Sequence, residues 1–79
     1  VVENVTEAAD RDKIAITLNG EEREVPAGLT VRDLLAHLGL HERLVVVELN
    51  REILRRGRYG EVPVSAGDEV ELVHFVGGG

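Results

Sequence analysis

The chain has 79 residues, enough for one small domain with a single compact core. Its apolar share of 43 % comes almost wholly from Val, Leu, Ile and Ala, with Tyr59 and Phe75 as the aromatics, so the expected core is aliphatic. A formal charge of −6 opposes binding to nucleic acid, and the absence of cysteine removes disulfides, thiolate nucleophiles and thiolate metal sites.

Val1 to Lys13 holds four acids and two bases without a period, and is expected to be a flexible leader or an artificial remnant. Ile14-Ala15-Ile16-Thr17-Leu18 alternates at period two, which predicts a strand with Ile14, Ile16 and Leu18 inward. Asn19-Gly20 is a two-residue hairpin signal, because both residues tolerate positive φ, so Glu21 to Val25 should return antiparallel as a charged edge strand. Pro26-Ala27-Gly28 breaks the sheet. Thr30 is placed to cap a helix, with Asp33 closing a capping-box-like pair and Leu29 and Leu34 forming a hydrophobic staple. Val31, Leu34, Leu35 and Leu38 make one apolar stripe, Gly39 stops the helix, and Leu40 folds back on its last turn.

Leu44 to Leu49 reads as a buried strand around Val45-Val46-Val47. Asn50-Arg51 turns the chain, Glu52 to Leu54 is a short partner strand, and Arg55 to Gly60 is a polar loop. Val62-Pro63-Val64 is at most a brief edge segment, and Ser65 to Asp68 is a turn. Glu69 to Phe75 is the last strand, with Val70 and Leu72 inward and Val73 and Phe75 outward. The expected folded unit is 14–76, with Ile16, Leu34, Leu35, Leu38, Val46 and Val70 in its core and 77–79 as a flexible tail. This order predicts an α+β domain of the β-grasp type, a mixed sheet of four to five strands crossed by one main helix, with the first and last strands parallel at its centre.

Every apolar run is shorter than the roughly 18 to 20 residues that span a bilayer, and no signal pattern opens the chain, so the cytoplasm is the expected location. His37 and His41 stand at i, i+4, but Gly39 between them ends the helix; with His74 they read as rim histidines and no metal site is expected. Ser65 has no evident base and the carboxylates are scattered, so no catalytic residue is assigned. The Gly-rich stretch Gly77-Gly78-Gly79 follows a strand and cannot open a helix as a P-loop does. Three glycines reach about 10 Å without side chains and can thread a narrow channel. The Gly79 carboxylate is an anion at neutral pH, since a terminal carboxyl has a pKa of about 3.3 to 3.7, and acyl chemistry there needs activation by a partner. On the glycines alone, a frayed end or an appended linker is the simpler reading.

Three blocks change that reading: Ile16-Thr17-Leu18-Asn19-Gly20, Thr30-Val31-Arg32-Asp33-Leu34-Leu35, and the run from Gly67-Asp68-Glu69 through Val73-His74-Phe75-Val76 to Gly77-Gly78-Gly79. In order and spacing they resemble the ThiS family of thiamine-biosynthesis sulfur carriers over residues 14–79. The resemblance implies that a ubiquitin-activating-like, ThiF-like adenylyltransferase uses ATP to convert the Gly79 carboxylate to an acyl-adenylate. Sulfur from a sulfur-donating protein then replaces AMP, and the thiocarboxylate supplies a ThiG-like thiazole synthase. Such a carrier is a protein co-substrate and not an enzyme, binds no cofactor itself and is a monomer when free. Val73 and Phe75, with Val76, are expected to dock on these partners, while Arg55, Arg56 and Arg58 steer by charge. The alternative for Phe75 is that it folds over the sheet rim and completes the core.

The leader before Ile14 departs from the family, whose members usually begin at the first strand, and Gly77 lengthens the tail. Other carriers share the chemistry: the small subunit of molybdopterin synthase, and a carrier for tRNA thiolation. A ubiquitin-like modifier is a different class, in which Lys13 is the only internal lysine. A β-grasp binding module with an artificial tail is the plainest alternative.

Overall fold

The computed structural model describes residues 12–75. Most of the expected leader, together with Val76 and the tail Gly77 to Gly79, lies outside the described residues. The first strand, β1 (Lys13–Leu18), begins one residue before Ile14. Lys13 pairs with Pro26, and the Asp12 carbonyl accepts from the Ala27 N–H. The end of the segment expected to be leader is therefore tied to the sheet through its backbone, which hydropathy does not register.

β2 (Glu21–Pro26) returns antiparallel from a two-residue turn. Asn19 and Gly20 have φ of 50° and 84°, the left-handed pair that matches the twist of the flanking strands. Ile16 and Leu18 are buried and Ile14 is half-buried, while four exposed charged residues on β2 suit a sheet edge. Helix α1 (Val31–His37) starts at a full capping box: the Thr30 hydroxyl accepts from the Asp33 N–H, and the Asp33 carboxylate accepts from the Thr30 N–H, both at 3.2 Å. Its buried stripe is Val31, Leu34 and Leu35. Leu38, expected in the core, is the C-cap and only half-buried, because the chain leaves the helical path there. Gly39 (φ 76°) donates to the Ala36 carbonyl at 3.0 Å and Leu40 to the Leu35 carbonyl at 2.9 Å, the paired bonds of a Schellman ending.

A 3₁₀ turn, Glu42–Leu44, precedes β3 (Val45–Leu49), so this strand starts one residue later than expected. β4 (Glu52–Leu54) follows through Asn50 and Arg51, both at positive φ. A second 3₁₀ turn, Arg56–Arg58, leads to Tyr59, and β5 (Glu69–His74) ends the sheet. The strand order is β2-β1-β5-β3-β4, with β1 and β5 parallel at the centre and the other pairs antiparallel. This is the β-grasp. The core joins Val31, Leu34 and Leu35 of α1 to Ile16, Leu18, Val25, Val45, Val47 and Val70 of the sheet.

Two further sequence expectations need correction. Val45 and Val47 are buried and Val46 is not, since three valines in a row carry no alternation that sets their parity and only one sheet face is covered. The loop expected to be polar contributes Tyr59 to the core, where it is 2 % exposed. β4 stops opposite Val47, and the Tyr59 hydroxyl donates to the Val45 carbonyl just beyond, at 2.9 Å.

Candidate functional site

The register assigns every strand residue to one of two faces. Val46 pairs with Val73, Glu48 with Glu71 and with Ile53, Thr17 with Glu22 and with Glu69, and Ala15 with Glu24. These alternate with the buried positions, so they occupy the face that α1 leaves open. Beyond β5 the ladder continues by one bond, from the Phe75 N–H to the Leu44 carbonyl at 2.8 Å. Phe75 therefore stands opposite Leu44, at the end where the chain leaves the sheet.

The large apolar side chains exposed among the described residues are Leu44 (42 %), Ile53 (72 %), Val73 (58 %) and Phe75 (52 %). All four belong to the β3, β4 and β5 side of this open face or its exit end, around half-buried Val46. Their collection in one place distinguishes them from singly scattered surface leucines. Phe75 does not complete the core: half of it remains exposed. Sequence reasoning found Val73 and Phe75 but missed Leu44, Ile53 and Val46. The signal was present in the Asn50-Arg51 turn, since a two-residue hairpin there sets Ile53 opposite Glu48 and on the outer face.

The three arginines named from sequence are not equivalent. Arg56 donates to the carbonyls of Glu42 and Arg43, both at 3.2 Å, and so holds the 3₁₀ turn before β3. Arg58 pairs with Glu61 at 3.7 Å. Arg55 is exposed, and by extension of the β3–β4 register it lies opposite Val46, beside the apolar group. His41 caps the 3₁₀ turn, with its Nδ1 accepting from the Arg43 N–H at 3.2 Å. Among the described residues there is no ligand-sized pocket and no group of three potential metal ligands. None of the helices described is long and apolar enough to cross a membrane. What the described residues offer is a face, with the sequence Val76 to Gly79 continuing from its edge.

The model of the ThiS family matches residues 15–79. The chain belongs to the ThiS family. The match takes in the helix and all five strands apart from the first two residues of β1, and runs through Gly77, Gly78 and Gly79. The sulfur carrier protein ThiS of Bacillus subtilis is 50 % identical over 50 residues, 63 % of this chain and 76 % of that one. The crystal structure of the thiamine biosynthesis protein ThiS from Geobacter metallireducens superposes with a TM-score of 0.71 at 38 % identity, covering 84 % of this chain and all of that one. The thiazole synthase of Paramagnetospirillum magneticum is 47 % identical over 64 residues. Those residues are 81 % of this ThiS-family chain but only 20 % of the synthase, so the chain spans about a fifth of that relative's length.

Proposed function

We propose that the chain is a cytoplasmic sulfur carrier for thiamine biosynthesis, a protein co-substrate whose reacting group is the carboxylate of Gly79 when Gly79 is the terminal residue. The family match that continues through Gly79 is the observation that carries this reading. In the first step a carboxylate oxygen attacks the α-phosphorus of ATP on a ThiF-like adenylyltransferase, and pyrophosphate leaves. A sulfur nucleophile from a sulfur-donating protein then attacks the acyl carbon and AMP leaves. Release of that sulfur from its donor, with the electrons the donor system supplies, gives the thiocarboxylate, which passes its sulfur to a thiazole synthase. The Paramagnetospirillum magneticum relative supports the last partner, since a thiazole synthase there contains a segment like this chain.

Within this reading the folded domain, proposed to end near Val76, is a handle and Gly77 to Gly79 the working tail. Glycine suits a tail that enters an active-site channel, because it adds no side chain and the cost of ordering it is met only on the partner. Val73 and Phe75, with Val76, Leu44, Val46 and Ile53, form the docking group, and Arg55 adds charge at its edge.

The test is the intact mass after incubation with ATP, a ThiF-like adenylyltransferase and a sulfur donor, with a thiocarboxylate-selective reagent to exclude oxidation. The expected product is ATP-dependent, shows one oxygen exchanged for sulfur, reacts with the reagent, and is lost when one residue is appended after Gly79. Absence of any ATP-dependent product from the unmodified chain overturns the proposal.

A further inference from the structure

We infer that the open sheet face is polarised by charge and docks a different protein whose surface carries an apolar patch, carboxylates beside the mouth that receives the tail, and a Lys or Arg that seats between Glu48 and Glu71. The inference rests on the sulfur-carrier reading and specifies the partner's surface. Glu48 and Glu71 are direct cross-strand neighbours on this face. Like charges so placed destabilise a sheet, and neither residue has an ion-pair partner among the described residues, where Arg32–Glu42, Arg51–Glu69 and Arg58–Glu61 are the pairs formed. A cation from outside, bridging the two carboxylates, converts that repulsion into attraction.

The charges around the apolar group are unevenly distributed. Toward the exit end stand Arg55, level with Val46 and Val73, and Arg43, next to Leu44. Arg56 is fastened there by two neutral carbonyls, which leave its charge uncompensated. On the other side lie Glu48 and Glu71, then Glu22 and Glu69, the latter paired with Arg51, then Glu24, with Lys13 two residues before its partner Ala15, so that five glutamates face two cations there. A surface with the opposite polarity fits in one orientation only, the one that sets the exit end of the sheet beside the mouth. A second copy fits poorly. A two-fold pairing of this face also sets arginines against glutamates, but the chain's net charge of −6 opposes self-association.

The experiment compares the full chain with its Glu71→Gln and Arg55→Glu variants in ATP-dependent adenylation by the ThiF-like enzyme of the same genome. Glu71→Gln should unfold at a higher urea concentration than the wild type, because the repulsion is gone, yet show a KM for carrier raised about fivefold at low salt. Arg55→Glu should raise KM similarly. For both, kcat stays unchanged; the Arg55→Glu difference disappears near 1 M NaCl, where screening acts over about 3 Å, and the Glu71→Gln difference, from a seated pair, shrinks there. Variants with wild-type KM at low salt overturn the inference while leaving the carrier reading intact. An Arg55→Glu KM rise that persists in full at high salt also overturns it, as does a wild-type dimer in sedimentation at the assay concentration. A wild-type chain that is not adenylated at all removes both.

Discussion

Arg51 holds a backbone conformation that its side chain disfavours. The turn between β3 and β4 needs two residues at positive φ; Asn50 at 53° tolerates this, whereas Arg51 at 71° carries a Cβ against the preceding geometry at a cost of about 1 kcal/mol. Its ion pair with Glu69, at 3.3 Å and largely exposed, offsets only part of that. Arg51→Gly should therefore raise stability by about 0.5 to 1 kcal/mol in urea denaturation. A lower midpoint would show that the Glu69 contact outweighs the strain. Asn50 is needed for more than the turn, since its side chain donates to Asp68 at 3.1 Å and accepts from the Glu69 N–H at 2.9 Å. Asn19 in the first hairpin acts likewise, accepting from the Leu72 N–H at 2.7 Å. Both turns thus supply acceptors to β5.

β3 shows how one element serves two purposes. Val45 and Val47 face the helix and are fully buried, while Val46 faces outward between Val73 and the extension of β4. Val47→Ala should cost about 2 kcal/mol or more through a core cavity, and Val46→Ala less than about 0.5 kcal/mol in the same urea titration. Equal losses would mean that the face opposite α1 is packed as tightly as the core. For α1, the capping box and the Schellman ending compensate for a helix of only seven residues, too short to persist without its ends and its packing.

The molecule combines a covered sheet face, which stabilises it, with an open one that gathers exposed apolar side chains toward Phe75, where the described residues end. Removing one of those side chains should affect encounter with a partner and leave folding alone. Phe75→Ala is expected to change unfolding free energy by less than about 0.5 kcal/mol, while the KM for adenylation rises by the equivalent of about 1 to 2 kcal/mol. A variant that unfolds readily but is activated normally when folded would return Phe75 to a structural role.

Local chemistry was legible in the sequence because it acts over a few residues. Alternation in Ile14 to Leu18, Asn19-Gly20, the Thr30 and Asp33 pair and Gly39 each specify their element from within, and the element order then restricts the topology. The terminal glycines and the three blocks around the hairpin, helix and last turn were also readable, and they carried the family. Tertiary structure alone decided what depends on distant partners. Val45-Val46-Val47 has no internal parity, so burial was assigned by pairing with β5. Tyr59 enters the core because Val45 presents a carbonyl that β4 is too short to reach. Arg56 is fastened at the surface by the carbonyls of Glu42 and Arg43, and Glu48 meets Glu71 only through the register of β3 on β5. Leu44, Ile53, Val73 and Phe75 lie up to 31 positions apart in the chain, and the pairing of β3 with β4 and β5 is what makes them one surface.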